Sequence, residues 1–226
     1  MLGDLGPIVS FTFDDFPRSA LASGGEILER FGVRATYYVA MGLMGTQNNL
    51  GEQFLPTDLH SLIERGHELA SHSFGHRSAR KTPMSAFLKD VEQGAKAIQE
   101  NIGISPSNSF AYPYGEVTLA VKGRLGPRMG SCRGTIGGLN GPAVDLNLLR
   151  SNRLYGDVDQ LDAAQRLILE NEKRRNWLIF YTHDVAANPS PYGCTPALLE
   201  EAVSFAVKRG ARIRTVADVV SDLSGA

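Results

Sequence analysis

Short β-forming runs alternate with helical segments along most of the chain, and that alternation restricts the fold more than any other feature of the sequence. Residues 8–15 read Ile-Val-Ser-Phe-Thr-Phe-Asp-Asp, a strand pattern with Val9, Phe11 and Phe13 on one face and Ser10, Thr12 and Asp14 on the other. A helix is expected over 20–31, with Leu21, Ile27, Leu28 and Phe31 as its apolar positions and Gly32 as its stop. Further strands are expected over 35–40, 67–71, 109–112, 177–182 and 212–214. Helices are expected from Pro56 to a stop at Gly66, from a Thr82-Pro83 cap to about Asn101, over 161–173, from a Thr195-Pro196 cap to Gly210, and over 216–223. Residues 42–54, rich in Gly, Asn and Gln, read as a surface loop. The section 123–155 is Gly-rich and carries only weak strand patterns at 129–133 and 149–154. Strands separated by helices pair in parallel, so the fold class is α/β, with a mostly parallel sheet, open or closed into a barrel.

A chain of 226 residues suits one domain over 1–226 and can bury a full core. Its formal net charge of -1 and lack of a basic cluster argue against a nucleic-acid partner. Residues 1–7 hold no positive region and no long apolar run, so neither a secretory signal nor a membrane span is expected and a cytoplasmic location is. Cys132 and Cys194 form no CxxC pair and read as reduced thiols.

Polar residues gather just past the strand ends: Asp14 and Asp15, then His72 and His76, then Pro113 to Gly115, then His183. In parallel α/β sheets and barrels that end carries the active site. Two adjacent carboxylates repel and resist burial, so they call for a cation, hydrogen bonds or water. His72 and His76 can converge on one centre across a tight turn, and two imidazoles with one carboxylate make an open zinc site. Such an ion lowers the pKa of its water toward ~7 and polarises a carbonyl, which suits hydrolysis of an amide or ester. A base must take the water's proton and an acid must protonate the departing amine; Asp14 and His183 suit these tasks.

Thr12-Phe13-Asp14-Asp15, His72-Ser73-Phe74-Gly75-His76, Tyr112-Pro113-Tyr114-Gly115 and Tyr181-Thr182-His183-Asp184, in this order, resemble the motifs of the polysaccharide deacetylase family, carbohydrate esterase family 4. The resemblance implies an irregular (β/α) barrel of about seven parallel strands and removal of an acetyl group from an acetylated amino sugar with a divalent metal, zinc above all. It makes Asp14 the general base, Asp15, His72 and His76 the metal ligands and His183 the general acid, and it gives the backbone N–H of Tyr114 to the oxyanion. Strand alternation alone does not choose between Asp14 and Asp15 as ligand.

The chain also departs from the family pattern. Phe16 follows the two acids where Gly is usual, which is expected to put an aromatic ring near the substrate entrance. Ala111 stands where the family carries an arginine that orients the base; Arg18, Arg133, Arg150 and Arg153 are candidates to replace it. The usual Asp-Trp motif is absent from the Gly-rich section, and Tyr181 replaces a leucine of the acetyl pocket. Residues 189–193 are expected to form a loop over the site, with Tyr192 in it. The leading expectation is a deacetylase acting on an amino sugar in a glycan or glycolipid precursor. The alternatives are hydrolysis of a small non-sugar amide or ring imide, and a non-catalytic glycan-binding relative, against which all five of Asp14, Asp15, His72, His76 and His183 speak.

Overall fold

The computed structural model describes residues 6–225. Its strands in chain order are β1 (Ile8–Asp15), β2 (Thr36–Val39), β3 (Gln47–Asn48), β4 (Gly51–Glu52), β5 (Glu68–Ser71), β6 (Ser109–Ala111), β7 (Ser131–Arg133), β8 (Asn152–Arg153), β9 (Trp177–Thr182) and β10 (Arg212–Ile213). Its α-helices are α1 (Glu26–Arg30), α2 (Pro56–Glu64), α3 (Met84–Ile102), α4 (Leu119–Leu125), α5 (Leu161–Arg174), α6 (Pro196–Lys208) and α7 (Val216–Ser224). Seven strands follow the path β7-β6-β5-β2-β1-β9-β8, all in parallel, and β10 pairs with Ile8 and Val9 of β1. Leu149 bridges in parallel to Arg133 at the end of β7 and the chain then runs on into β8, so the two ends of the path meet. This is the expected irregular (β/α) barrel.

Both faces of the sheet are covered, which is why every residue of β1 is buried. Val9, Phe11 and Phe13, with Val39, Leu69 and Phe180, pack under helix residues such as Leu28, Leu62, Leu199 and Val203. The other face lines the barrel interior. Its amino-terminal half is filled by Ile8, Leu149, Trp177 and Ile179, plugged by Val216 and Val219 of α7. There the Trp177 indole N–H donates to Ser10 Oγ at 2.9 Å, and the Ser10 hydroxyl donates to the Arg214 carbonyl at 2.7 Å.

The differences from the expected elements have local causes. Residues 20–25 make a π-helical turn before α1, where Gly24 sits so close to β1 that a Cβ would lie 3.0 Å from the Phe13 ring. The loop over 42–54 contains the antiparallel hairpin β3–β4, which turns at Asn49 and Leu50 and resumes at Gly51 with φ 98°. Helix α3 opens at Met84 with Pro83 at the cap position and no side-chain cap bond, so Thr82 does not cap it. Helix α4 was not expected; seven residues with Gly123 inside make a weak helix pattern, and the start is secured by Thr118 Oγ1, which accepts from the Val121 N–H at 3.2 Å. Cys132 and Cys194 are both free and buried. Among the described residues no helix is long and apolar enough to cross a membrane.

Candidate active site

The carboxy-terminal ends of the strands surround a cavity of about 670 Å³ whose wall includes Asp14, Asp15, His72, His76, Tyr114 and His183. The five side chains expected to carry chemistry therefore meet at one rim, although the chain between Asp14 and His183 passes through most of the barrel. Left-handed backbone marks the same rim: φ is 65° at Asp15, 71° at Phe16, 69° at Ser73, 49° at His76 and 60° at Tyr114. Non-glycine residues adopt this region at a cost of about 1–3 kcal/mol each, and such strain collects where a site demands it.

Asp15, His72 and His76 each offer one ligand atom, and these atoms lie within 4.8 Å of one another. Asp15 Oδ1 is 3.6 Å from His72 Nε2 and 3.2 Å from His76 Nε2. The His72 Nδ1 sits 2.8 Å from the Ala111 carbonyl, which can only accept, so Nδ1 carries the proton and Nε2 presents a lone pair. Burial lowers the His72 pKa to about 3 and lowers that of His76 too, with Asp14 pulling each the other way. Burial pushes the Asp15 carboxyl up to about 6, with His183 opposing the rise and Asp14 adding to it. Asp15 Oδ1 is buried and has no hydrogen-bond partner. One orphaned carboxylate oxygen beside two imidazoles held neutral is a donor set that fits a divalent cation.

The loop between the two histidines is pinned from α3, a support that sequence reasoning missed. The Gly75 N–H donates to both carboxylate oxygens of Asp90 at 3.1 Å, and the Phe74 N–H donates to the Asp90 carbonyl at 3.0 Å. Gly94, one turn on, allows the approach, since a Cβ there would lie 2.5 Å from the Ser73 backbone. The signal was available: Asp90 is a charged residue inside the buried stripe of Phe87, Val91 and Ile98.

Asp14 is held by Arg133. Nη2 of Arg133 donates to both oxygens of Asp14, while Nη1 donates to the Gly134 carbonyl at 3.0 Å and to Ser151 Oγ at 3.2 Å. The guanidinium carbon lies 5.0 Å from the Tyr38 ring centre and 5.1 Å from that of Tyr181, so the cation is sandwiched between two rings. Burial alone would raise the Asp14 carboxyl, but Arg133, with His72 and His183, more than offsets it and the net shift is downward. The other three candidates do not reach Asp14: Arg18 pairs with Asp58 at 2.9 Å, Arg150 donates to the Gly137 carbonyl at 2.9 Å, and Arg153 stands on the cavity wall. Arg133 is the register partner of Ala111 on the neighbouring strand.

Two expectations are corrected or extended. The Phe16 ring does not reach the entrance: the left-handed turn at Phe16 sends it into the core, fully buried, stacked on Phe54 with ring centres 5.2 Å apart and edge-on to Tyr37. Tyr155, which sequence reasoning missed, lines the cavity with its ring centre 6.0 Å from that of His183 and 5.4 Å from that of Tyr181. Burial, with Tyr181 beside it, raises its phenol above the ordinary range. Of residues 189–193, Tyr192 stands on the cavity wall, with its ring centre 5.9 Å from that of His183. Tyr114 and Gly115 are consecutive left-handed residues, and the Tyr114 ring lies 4.5 Å from the His76 ring.

Fold and site together define a parallel (β/α)-barrel protein with a bis-imidazole–carboxylate cavity at the carboxy-terminal rim. The chain belongs to the polysaccharide deacetylase family, whose sequence profile matches residues 4–126, more than half of its length. That segment contains Asp14, Asp15, His72, His76 and Tyr114, while Arg133 and His183 lie beyond it. The chain is 29% identical over 119 residues to the peptidoglycan-N-acetylglucosamine deacetylase PgdA of Listeria monocytogenes, covering 52% of this chain and 24% of that protein. It is 28% identical over 193 residues to the bifunctional xylanase/deacetylase of Pseudobutyrivibrio xylanivorans, covering 85% of this chain and 28% of that one. The chain thus spans about a quarter of the length of the curated relatives it matches. In fold it is similar to the Xyl-CE4 domain of a multidomain xylanase from the hindgut metagenome of Trinervitermes trinervoides, with a TM-score of 0.65, 19% identity, and coverage of 97% of this chain and 92% of that one.

Proposed function

We propose that this protein is a metal-dependent hydrolase that removes the acetyl group from an N-acetylated amino sugar of a glycan or glycan precursor. The observation that supports it most is the buried, unpartnered Asp15 oxygen facing two neutral imidazoles, one residue after an aspartate held by an arginine. Asp15, His72 and His76 would hold the cation, zinc by ligand type, which when bound acidifies water toward ~7 and polarises the acetyl carbonyl.

The remaining steps fall to the chain's own groups. Asp14 stays ionised because Arg133 holds it below the usual carboxylate range, and it accepts the proton of the attacking water. The Tyr114 N–H, carried on the left-handed turn, donates to the oxygen that gains charge as the carbonyl becomes tetrahedral. His183, bonded through Nδ1 to the Tyr192 carbonyl at 3.1 Å, gives a proton from Nε2 to the departing amine. Tyr155, Tyr181 and Tyr192 form an aromatic wall against which a sugar ring can lie.

Metal analysis combined with acetate release from N-acetylglucosamine oligomers, before and after chelation, tests this reading. Acetate release that chelation abolishes and zinc restores is the expected result. A metal-loaded protein that frees no acetate from any amino sugar but opens small amides or ring imides would replace the sugar reading with the small-amide one.

A further inference from the structure

Asp184 follows His183 directly, is 4% exposed, and forms no ion pair among the described residues. Its carboxylate faces its own loop instead: Oδ2 accepts from the Ser190 N–H at 2.7 Å and Oδ1 from the Ser190 hydroxyl at 2.5 Å. Ser190 Oγ in turn accepts from the Tyr192 N–H at 3.1 Å, the Gly193 N–H donates to the Ser190 carbonyl at 3.1 Å, and the Cys194 N–H donates to the Asp184 carbonyl at 2.9 Å. Gly193 can carry no side chain, because a Cβ there would overlap the Asp184 carboxylate. These bonds fold residues 190–193 into a turn that presents the Tyr192 carbonyl to His183 Nδ1, with a weaker bond to the same oxygen from the Thr182 hydroxyl at 3.4 Å. No carboxylate among the described residues is hydrogen-bonded to that nitrogen.

We infer that Asp184 is a positioning residue for His183. Through the Ser190 turn it aims the Tyr192 carbonyl, and the carbonyl, which can only accept, keeps a proton on Nδ1 whether the ring is neutral or charged. Nε2 is then the nitrogen that exchanges a proton with the cavity. The tautomer follows from the contacts alone; its use in protonating the amine rests on the deacetylase reading above. The balance is simple: the N–H bond at Nε2 breaks, an N–H bond forms on the leaving amine, and Nδ1–H is retained.

Ring-nitrogen NMR of the full chain, with its five histidines, tests the tautomer. His183 is expected in the Nδ1–H form in the wild type and as a mixture or the Nε2–H form in Asp184→Ala, while His72, tied to Ala111, keeps its signal and reports an intact barrel. Ser190→Ala, which removes only the hydroxyl, should move His183 the same way and covers the case in which Asp184→Ala does not fold. In kinetics, kcat for N-acetylglucosamine oligomers should fall roughly tenfold to a hundredfold with KM within about twofold. Hydrolysis of nitrophenyl acetate, whose leaving group needs no proton, should change less than about twofold. An unchanged His183 tautomer in both variants, or equal losses on amide and ester, overturns the assignment. A shifted tautomer in a protein that frees no acetate from amino sugars upholds the positioning role and refutes the deacetylase reading instead.

Discussion

At the amino-terminal end of the barrel interior a buried carboxylate is fully matched, and at the carboxy-terminal end another is not. Glu68 is 8% exposed and accepts from the Thr36 hydroxyl at 2.7 Å, the Ser107 hydroxyl at 2.6 Å and the Ala217 N–H at the start of α7 at 2.9 Å. Asp15 is 6% exposed, yet its Oδ1 has no hydrogen-bond partner and faces two imidazole nitrogens. Depth is the same and partnership differs. The matched carboxylate joins β5 to β2 and to the positive end of a helix, so its charge works for the fold. The unmatched one sits on left-handed backbone beside a second acid, so its charge works against the fold until a cation arrives. The molecule keeps its polar order at one end and its deficit at the other.

The strongest break of this contrast is Asp14→Asn. Removing the base should lower kcat about 10³-fold, and leaving Arg133 buried without its counter-charge should cost about 3–5 kcal/mol in denaturant unfolding. Next is Glu68→Ala, which strands two hydroxyls and a helix N–H and should destabilise by about 3 kcal/mol, seen as a lower Tm. The matching change at the other end, Asp15→Ala, should cost under about 1 kcal/mol in metal-free protein, because Oδ1 gives up no hydrogen bond; a comparable loss from both would erase the distinction. Zinc at about 100 times its Kd should then stabilise the wild type by about 2.7 kcal/mol and leave Asp15→Asn unmoved, as thermal shift would record.

His67, also at the amino-terminal end, ties the stability of that end to pH. Its Nδ1 accepts the Ala35 N–H at 3.1 Å and its Nε2–H donates to Glu29 at 2.9 Å, so the folded ring has no free site for a second proton. Burial lowers its pKa below 6.5 although Glu29 opposes this. As pH falls through about 6.5 the unfolded chain takes up the proton first, so stability is full above that pH and declines below it. His67→Gln, measured by chemical unfolding between about pH 7 and pH 5, should flatten that decline, while an undiminished decline in the variant would assign it to another group.

Long segments were legible because pattern and punctuation agree: β1, α3 and α6 have apolar spacing that fits one element type, and β9 is a short apolar run whose length and aromatic content favour a strand. The rim residues were legible for the same reason, since a strand's last residues face the carboxy-terminal end wherever strands run parallel. The region 123–155 was opaque because β7 has three residues and β8 two, too few for a period, and each is placed by pairing with a strand outside the region, β7 with β6 and β8 with β9. Arg133 could be named but not ranked, as its contact with Asp14 spans 119 positions of sequence and depends on sheet register. Phe16 was misplaced because its left-handed φ, which reverses where the ring points, leaves no mark in composition.

The pairing of Ala111 with Arg133 has a consequence beyond this site. Neighbouring strands of a parallel barrel are interchangeable scaffolds for a group that must reach the axis, provided the vacated position shrinks as the new one grows. Here a methyl group stands beside a guanidinium, and Tyr38 fills the space between Ala70 and the cation. Read along the chain, this position holds only an alanine; read across the ladder, the next rung holds the arginine that bonds to Asp14. Compensation of this kind is sought sideways through the hydrogen bonds, not along the chain.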